Sequence, residues 1–568
     1  MSLPVLNIPT QDLNQRPKPY LRPKVLQRWV HDLPTADINA VAHMLLEKLH
    51  VINSSRYPVH ERMALMNVLY PIAQLLVNSL GEKYHTAQIP LGRKERFFSD
   101  TCRKLLFDMA AAYKIIVSEL VIKKKHKLSE NVLLHEATYF SMIFLSWNLL
   151  ESYSVYDPVD EGVWHDLHQL YRYAEANSFH ETQLDDPFPA MSLPVAATVD
   201  FSYKRILLLA AAEPYQLMQG EAYEIYRLVS FWTKECDLLA NVQQAVEGEY
   251  AVDMSADQPP RFITHDLYNQ KISGRVIDID KIKSKLELLI QNILRGNFDH
   301  DLLQDAGVLE RKQRDALLRL SDTWQGNSER SEPRKPSADD VRITTGLNSC
   351  HHFISLRAKF TPEMDELKIQ SNKVEPELKE HEGKSFFATR YQEALKKDKR
   401  HIHTNYNQED WQQSNLSQMG IALRCFNGHH DLSVKVGEIV SYRYDGKLKG
   451  RWQTGVVRWI KSDTRKVLDI GIMDIAKSAV PVAVKAMSGV GKGTDYFRAL
   501  LIPFQVSLKQ TRSIILPANI YDINTVLVVN LGKRMFHIRI TRLLLFTTAI
   551  NQYEFDILEA PKQHAQVH

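Results

Sequence analysis

The chain is poor in cysteine and carries little net charge. Among its 568 residues are four widely separated cysteines with no C-x-x-C pair, namely Cys102, Cys236, Cys350 and Cys425. This spacing excludes a disulfide framework and a cysteine-based metal cluster, and it predicts a reducing, cytoplasmic location. Basic residues exceed acidic ones by 71 − 67 = 4. A balance this close to neutral predicts no direct nucleic-acid binding through bulk charge.

Long apolar runs are also scarce. The most apolar stretch, Ala137–Leu150, is interrupted by Ser141, Ser146 and Asn148 and is too short to cross a bilayer. The opening residues, Met1–Pro23, are polar and rich in proline, unlike a secretory signal. We therefore expect no membrane span.

Familiar catalytic and metal-binding patterns are missing as well. The sequence contains no G-x-S-x-G or H-E-x-x-H motif. The segment Gly489–Thr494 resembles a phosphate-binding loop, but Ala486 stands where the first glycine is required. Paired histidines occur without acidic or cysteine partners at ligand spacing, at His351-His352, His401-x-His403 and His429-His430. We predict no catalytic residue, no metal ion and no cofactor.

Apolar residues recur at helical spacing through residues 1–240, which predicts an all-α N-terminal helical bundle. The clearest stripe comprises Phe98, Cys102, Leu105, Leu106, Met109, Tyr113, Ile116 and Leu120. Thr35 and Asp37 are suited to the start of an earlier helix, and Ser129 to the cap of the helix after the stripe. Residues 241–325 predict a mixed connecting segment with two more helices, near Ile279–Leu294 and Leu309–Trp324.

Beyond a Gly-, Ser- and Pro-rich boundary at Gln325–Pro336, the period of the pattern changes to two. We predict a β-barrel over residues 326–485, with Val341–Leu356 as its first strand and a charged insertion at 357–410. Residues 486–568 predict a second small β-domain. In that domain, Thr525–Asn530 and Arg534–Thr541 flank Leu531-Gly532-Lys533 as the arms of a hairpin.

Two short motifs in the barrel region carry groups suited to a compact polyanion. Arg330 and Arg334 form an R-x-x-x-R pair, and guanidinium groups bind phosphates and guanine edges in bidentate fashion. Asn415, Ser417 and Gly420 have the form [D/N]-x-S-x-x-G. We interpret this second motif as a turn that offers an amide, a hydroxyl and an unobstructed glycine backbone before a strand. Either motif alone is weak: the first also fits an exposed linker, and the second a plain turn.

In this order, the two motifs resemble the PilZ family, whose small six-stranded barrels bind cyclic di-GMP. Three downstream segments resemble the strands that follow in that family: Val436–Val440, Gly455–Trp459 and Leu468–Ile472. The resemblance covers roughly Arg330–Val484. The segment 357–410 makes the distance between the two motifs larger than is usual in the family.

The resemblance implies a role for each motif residue. Arg330 and Arg334 would bind phosphates and guanine edges of cyclic di-GMP. Asn415 would hydrogen-bond a guanine, Ser417 would contact the ligand, and Gly420 would let the turn close.

The resulting hypothesis is a non-enzymatic, cytoplasmic cyclic di-GMP receptor of bacterial type. The PilZ-like barrel would be the sensor, and the helical domain would signal to a protein partner. Ligand binding would order the linker Gln325–Pro336 and so switch the protein. Two alternatives remain open at this point. One is a PilZ-like scaffold that no longer binds ligand, and the other is an RNA-binding β-barrel protein.

Overall fold

Helices dominate the first part of the chain and strands the second. The computed structural model describes the whole chain except residues 1–2, 12–20, 124–126, 185–196, 241–248, 264–273, 295–310, 326–334, 367–405, 418–419, 426–431, 445–449, 464, 466, 488–494, 505–510 and 559–568. Its contacts define two units. We call Met1–Ser331 with Lys461–Thr464 the helical unit, and Glu332–Ile460 with Arg465–His568 the barrel unit.

The described part of the helical unit begins with residues 3–11, which form neither helix nor strand, and continues as a bundle. Its helices are α1 (Pro23–His31), α2 (Ile38–Ser54), α3 (Val59–Gly81), α4 (Arg93–Val121), α5 (Leu128–Ser154), α6 (Val163–Ala176), α7 (Val199–Ala211) and α8 (Glu221–Trp232). The predicted Phe98–Leu120 stripe lies within α4 and is buried along its whole length. Helix α4 packs against α2, α3 and α5. The predicted helical bundle is confirmed.

Two predicted helix starts had different outcomes. The Asp37 carboxylate accepts hydrogen bonds from the N–H groups of Asn39 and Ala40, so it caps α2 as expected. Helix α5 begins at Leu128, one residue before Ser129, so the predicted serine cap is wrong. Instead, the Glu130 carboxylate reaches back to the N–H of Lys127 at 3.1 Å. A reciprocal carboxylate satisfies the free N–H at this helix start.

Two polar residues within the apolar stretch of α5, Ser141 and Asn148, are buried and hydrogen-bonded. The Ser141 hydroxyl donates to the carbonyl of Ala137 at 2.7 Å, one turn back along the helix. The Asn148 amide donates to the carbonyl of Arg103 in α4 at 3.1 Å. Because buried polar groups are stable only when paired, these residues fit a core helix of a bundle.

Among the described helices, α3 alone is long and apolar enough to cross a membrane by length and composition. It also contains Arg62, whose guanidinium donates to the carbonyls of Ile52 and Ser55 at 2.7 and 2.9 Å. The Arg62 side chain is fully buried in the helical unit. Burial of this kind is typical of a core helix.

His168 in α6 is a buried titratable group with partners on both ring nitrogens. Nδ1 lies 2.7 Å from the Tyr203 hydroxyl, and Nε2 lies 2.9 Å from the Gln258 carbonyl oxygen. Burial lowers the pKa of His168 to about 4, although the Gln258 carbonyl acts in the opposite direction. The neutral ring is therefore the form that the fold holds.

Acidification is expected to destabilise the helical unit through His168. The unfolded chain binds a proton near pH 6.5 and the folded chain only near pH 4, so stability is lost as pH falls between these values. The shift corresponds to about 3 kcal/mol. Urea unfolding at pH 7 and pH 4 should show a smaller pH effect in His168→Gln than in the wild type. The exposed-site control His43→Gln should keep the wild-type pH effect, and equal effects in all three proteins would contradict the assignment.

A small sheet with two helices completes the helical unit. Its strands are β1 (Asp237–Leu239), β2 (Tyr250–Asp253), β3 (Arg261–Phe262) and β4 (Gly274–Asp278), paired in the order β1-β4-β2-β3. The helices are α9 (Asp280–Leu294) and α10 (Arg311–Trp324). Both helices lie where the sequence predicts them, with starts shifted by one or two residues.

The barrel unit begins with β5 (Lys335–Pro336) and a closed barrel, which we call the first barrel. Its strands are β6 (Asp340–Thr345), β7 (Glu409–Ser417), β8 (Gly420–Cys425), β9 (Ile439–Tyr444), β10 (Gln453–Ser462) and β11 (Leu468–Ala476). They pair in the order β7-β6-β9-β10-β11-β8, and β8 pairs with β7 to close the ring. The predicted six-stranded barrel is confirmed.

The prediction that Val341–Leu356 forms a single strand is wrong. Strand β6 ends at Thr345, and Gly346 then adopts a φ of +87°, which turns the chain into helix α11 (Leu347–Ile354). In α11, Cys350 and Phe353 are buried three residues apart, whereas Val341 and Ile343 in β6 are buried two apart. A short apolar segment does not by itself distinguish these two periods.

The described ends of the predicted insertion 357–410 meet at one side chain. The Arg498 guanidinium lies over the ring of Phe360 at 4.6 Å and over the ring of Tyr406 at 5.3 Å. The Glu366 carboxylate also accepts hydrogen bonds from Lys485 at 2.6 Å and Tyr496 at 3.0 Å. The two described ends of this long segment thus lie against the same arginine side chain.

The second β-domain is also a closed six-stranded barrel, which we call the second barrel. Its strands are β12 (Val480–Ala486), β13 (Phe497–Ile502), β14 (Ser513–Pro517), β15 (Val526–Asn530), β16 (Met535–Phe546) and β17 (Ile550–Leu558). The predicted hairpin is present, with Asn530 paired to Met535 and Gly532 at a φ of +82°. The two barrels share a core cluster that includes Ile439, Val456, Leu500 and Ile515.

Candidate functional site

The second motif forms a tight hairpin on the first barrel. Strand β7 ends at Ser417, and Asn415 lies two residues before that end. Gly420 is the first residue of β8. Asn415 pairs with Ala422, and Ser417 pairs with Gly420 across two intervening residues. The interpretation of the whole motif as a turn before a strand is therefore wrong, because its amide and hydroxyl lie on a strand. The structure brings Asn415, Ser417 and Gly420 together.

Strand register places the motif side chains on one face. Directly paired residues of neighbouring strands point to the same side of a sheet, and residues two apart on one strand do so as well. Asn415 and Ser417 thus share a face, while Ile421 and Ile472 of the alternate row are buried in the barrel. The amide and the hydroxyl lie on the outer face of the first barrel.

The Ser417 hydroxyl is fixed by its neighbour across the hairpin. Its Oγ donates to the carbonyl of Gly420 at 3.2 Å. A hydroxyl that has used its one proton still has oxygen lone pairs to accept a hydrogen bond. In this orientation Ser417 can accept from an N–H group of a ligand.

Gly420 is required by the packing of two strands. A Cβ atom at this position would lie 2.1 Å from the carbonyl oxygen of Ile472 on β11. Any larger residue would force β8 and β11 apart at the point where Gly420 pairs with Met473. The sequence attributes this glycine to turn closure and ligand approach, whereas the geometry gives it a structural reason.

The residues that directly follow the arginine pair in the sequence lie beside the second motif. Arg330 and Arg334 lie outside the described residues, but the structure begins again at Lys335, the residue after Arg334. Lys335 pairs with Leu416, and Pro336 pairs with Asn415. Since consecutive Cα atoms are about 3.8 Å apart, Arg334 is attached one residue from the strand pair that carries Asn415 and Ser417.

The charged residues described near the motif indicate which kind of ligand the site can bind. On the neighbouring strands, the Arg424 guanidinium binds the Asp469 carboxylate at 2.6 and 2.5 Å, so that positive charge is already matched. Lys335 is exposed beside the motif. Among the described residues, no three His, Cys, Asp or Glu side chains are grouped to hold a metal ion. The described groups can form hydrogen bonds to a ligand and can attract an anion through positive charge.

Sequence reasoning missed two residues of this surface. Lys335 follows the R-x-x-x-R motif directly, which is a signal the sequence contains. Trp459 of β10 lies over Gly471, where a Cβ atom would be 1.8 Å from the indole Nε1. Gly471 pairs with Ala422, and Ala422 pairs with Asn415, so Trp459 lies on the same outer face. Only the strand register reveals this relation.

Comparisons with known proteins match this architecture in three parts. The family model described as the N-terminal domain of the cyclic-di-GMP receptor FimW matches residues 24–243. The model of its middle PilZ domain matches 250–421 and 388–481, and the model of its C-terminal β-barrel domain matches 482–558. The cyclic-di-GMP receptor FimW of Pseudomonas aeruginosa is 23% identical over 564 residues, covering 94% of this chain and 90% of that protein. No solved structure matches this chain.

A helical domain, a PilZ barrel and a second barrel in this order define the chain as a PilZ-domain protein. The resemblance to the PilZ family is confirmed, as is the succession of an all-α domain and two β-domains. Since the three matching models describe successive domains of one receptor, the chain belongs to the FimW family.

Proposed function

We propose that this protein is a cytoplasmic receptor for cyclic di-GMP, which it binds on the outer face of the first barrel. One observation carries the proposal: the β5–β7 pairing places the residue after Arg334 beside Asn415 and Ser417. A cationic segment and a hydrogen-bonding strand end are thereby joined at one edge. The family match supports the identity of the ligand, because the matched relative is named a cyclic-di-GMP receptor.

Each group of the proposed site suits one part of the ligand. The guanidinium groups of Arg330 and Arg334 bind phosphate oxygens or the O6 and N7 edge of guanine in bidentate fashion. The Asn415 amide offers both a donor and an acceptor to a guanine. The Ser417 oxygen accepts a further hydrogen bond, since its proton is held by the Gly420 carbonyl. Lys335 adds positive charge next to the arginine pair.

The position of the arginine pair also suggests how binding is transmitted. The chain passes from the helical unit to the barrel unit between Ser331 and Glu332, within the R-x-x-x-R motif. A ligand that binds both arginines to the first barrel therefore acts on the connection between the units. In this proposal the helical unit is the output module that contacts a protein partner, and the protein itself performs no catalysis.

Calorimetric titration of the full-length protein with cyclic di-GMP tests the proposal. Each charged hydrogen bond contributes about 1.5–3 kcal/mol and a bidentate guanidinium makes two, so Arg330→Ala and Arg334→Ala should each weaken binding at least about 100-fold. Ser417→Ala should weaken it about tenfold. The matched control is Arg342→Ala, which removes an arginine of β6 paired with Asp410 at 2.7 Å. This control should change the Kd less than threefold.

Two outcomes would reject the proposal in different ways. Absence of heat from the folded wild type would favour a scaffold that does not bind the ligand. Binding that is equally strong in Arg334→Ala and Ser417→Ala would place the ligand elsewhere on the protein. A gel shift with random single-stranded RNA at low and high salt tests the alternative that the protein binds RNA.

A further inference from the structure

Exposed aliphatic side chains lie where the chain passes from α4 to α5. Ile122, the residue that follows α4, is 71% exposed, and Leu128, the first residue of α5, is 83% exposed. Val132 is 47% exposed, and it shares a helix face with Leu128 because the two residues are four apart. Since most apolar residues of α4 and α5 are buried, this exposure needs a reason.

Basic side chains accompany these aliphatic ones. Lys123 and Lys127 are exposed next to Ile122 and Leu128. Residues 124–126, which join them along the chain, lie outside the described residues, and their sequence is Lys-Lys-His. Arg56, in the turn between α2 and α3, is also exposed. It lies near the end of α4, where it acts with Lys123 on the pKa of Glu119.

The carboxylates described beside this positive charge do not cancel it. Glu130 is 14% exposed, binds Lys123 at 2.7 Å and accepts the N–H of Lys127 at the start of α5. Burial raises the pKa of Glu119, while Arg62, Arg56 and Lys123 act in the opposite direction. Against these two acids stand the four lysines of residues 123–127 together with Arg56. The surface is therefore positive as well as apolar.

A bilayer with anionic lipid fits this combination better than a protein partner does. A stable protein interface buries about 800 Å² on each partner, whereas the apolar side chains here are few and protrude singly. Protruding aliphatic groups insert at the boundary between headgroups and acyl chains, and neighbouring lysines attract lipid phosphates. Stable membrane association generally takes two such signals, and both are present at this turn.

We propose that the turn between α4 and α5 is a peripheral membrane-binding surface specific for anionic lipid. Ile122 and Leu128 insert into the outer part of the bilayer, and Lys123 and Lys127 bind lipid phosphates. The contact is reversible, because the inserted apolar area is small. It requires no membrane span, and it is independent of the proposed cyclic di-GMP site.

Vesicle sedimentation with the full-length protein tests the proposal. The protein should sediment with vesicles of equal parts phosphatidylglycerol and phosphatidylcholine, and not with vesicles of phosphatidylcholine alone. The double variant Ile122→Gln/Leu128→Gln should bind at least about tenfold more weakly, because it removes the inserting groups. Lys127→Gln should bind about fivefold more weakly, and high salt should weaken binding by the wild type.

Matched controls come from exposed positions on the same unit. Leu75 in α3 is 51% exposed, and Lys104 in α4 forms an exposed pair with Asp108 at 3.0 Å. Leu75→Gln and Lys104→Gln should each bind vesicles within twofold of the wild type. All substituted side chains are exposed, so circular dichroism should show folded proteins throughout.

A fluorescent probe locates the contact even if a glutamine variant does not fold. The four native cysteines are buried, so a polarity-sensitive dye can be attached selectively through Leu128→Cys. Its emission should shift to the blue when anionic vesicles are added. The same dye attached through Leu75→Cys should show no shift, since that position stays in water.

Several results would overturn the proposal. The first is a wild type that stays in the supernatant with anionic vesicles or binds both kinds of vesicle equally. The second is unchanged binding by a folded Ile122→Gln/Leu128→Gln variant, or a dye at position 128 that does not shift. Binding to polyglutamate without binding to vesicles would instead assign the surface to an acidic protein.

Discussion

Replacing Asp157 with alanine is expected to destabilise the helical unit by about 3–5 kcal/mol. The Asp157 side chain is fully buried and binds two arginines of α4. Arg96 Nη1 donates to both carboxylate oxygens, at 2.7 and 2.6 Å, and Arg103 Nη2 donates to Oδ2 at 3.0 Å. Removing the carboxylate leaves buried positive charge without its main partner.

The pKa of Arg103 shows how far this arginine depends on the carboxylate. Burial is the largest single influence and lowers the pKa of the Arg103 guanidinium, but Asp157, Asp100 and Asp160 together outweigh it, so the pKa is raised. Since the Arg103 side chain is only 8% exposed, water cannot replace the lost partner. The penalty of Asp157→Ala is therefore mainly the cost of buried positive charge with less compensation: Arg96 loses this carboxylate, and Arg103 keeps the Asp100 carboxylate at 2.7 Å.

Urea denaturation followed by tryptophan fluorescence measures this effect. The matched control is Lys281→Ala, which breaks an exposed pair with Asp237 at 3.3 Å and should cost less than about 0.5 kcal/mol. A double-mutant cycle with Arg103→Met should give a coupling energy of about 2 kcal/mol or more. A loss below about 1 kcal/mol in Asp157→Ala would show that the pair contributes little to stability.

Gly420→Ala is expected to destabilise the first barrel by about 3 kcal/mol. The new Cβ would lie 2.1 Å from the carbonyl oxygen of Ile472, and this neighbour is backbone that cannot rotate away. The β8–β11 pair has to separate at Gly420↔Met473, which breaks ladder hydrogen bonds and opens the barrel beside the proposed site.

The comparison with Ser417→Ala separates stability from ligand contact. Ser417 faces Gly420 across the hairpin and contributes a single hydroxyl, so its loss should cost no more than about 1 kcal/mol of stability. We therefore expect Gly420→Ala to lower the unfolding midpoint, and Ser417→Ala to weaken ligand binding in a protein of nearly normal stability. Equal midpoints for Gly420→Ala and the wild type would refute the steric argument.

Local patterns predicted most of the elements because they depend on neighbouring residues. The α4 stripe repeats every three or four residues, and the β15–β16 hairpin has a glycine at its turn, so both could be recognised without tertiary information. The β6–α11 segment was misjudged because a short apolar run fits either period. The Ser129 cap was misjudged because a second residue, Glu130, competes for the same helix start.

The candidate site was recognisable only in part. The types and order of Arg330, Arg334, Asn415 and Ser417 pointed to an anion-binding barrel of the PilZ type, and the family comparison agrees with that class. The roles of these residues remain a prediction. Strand register was needed to show that Lys335 and Trp459 belong to this surface, because it pairs residues that are far apart in the chain.

The succession of a helical domain and two β-domains, and the residues that mark the family, could be predicted from the sequence without a structure. Only the folded structure shows that Gly420 packs closely against a neighbouring strand and that Asp157 binds two arginines. The difference arises from the distance along the chain between the residues involved. Periodicity and motifs come from residues within a few positions of each other, whereas these contacts form only when folding brings remote segments together and removes water from around them.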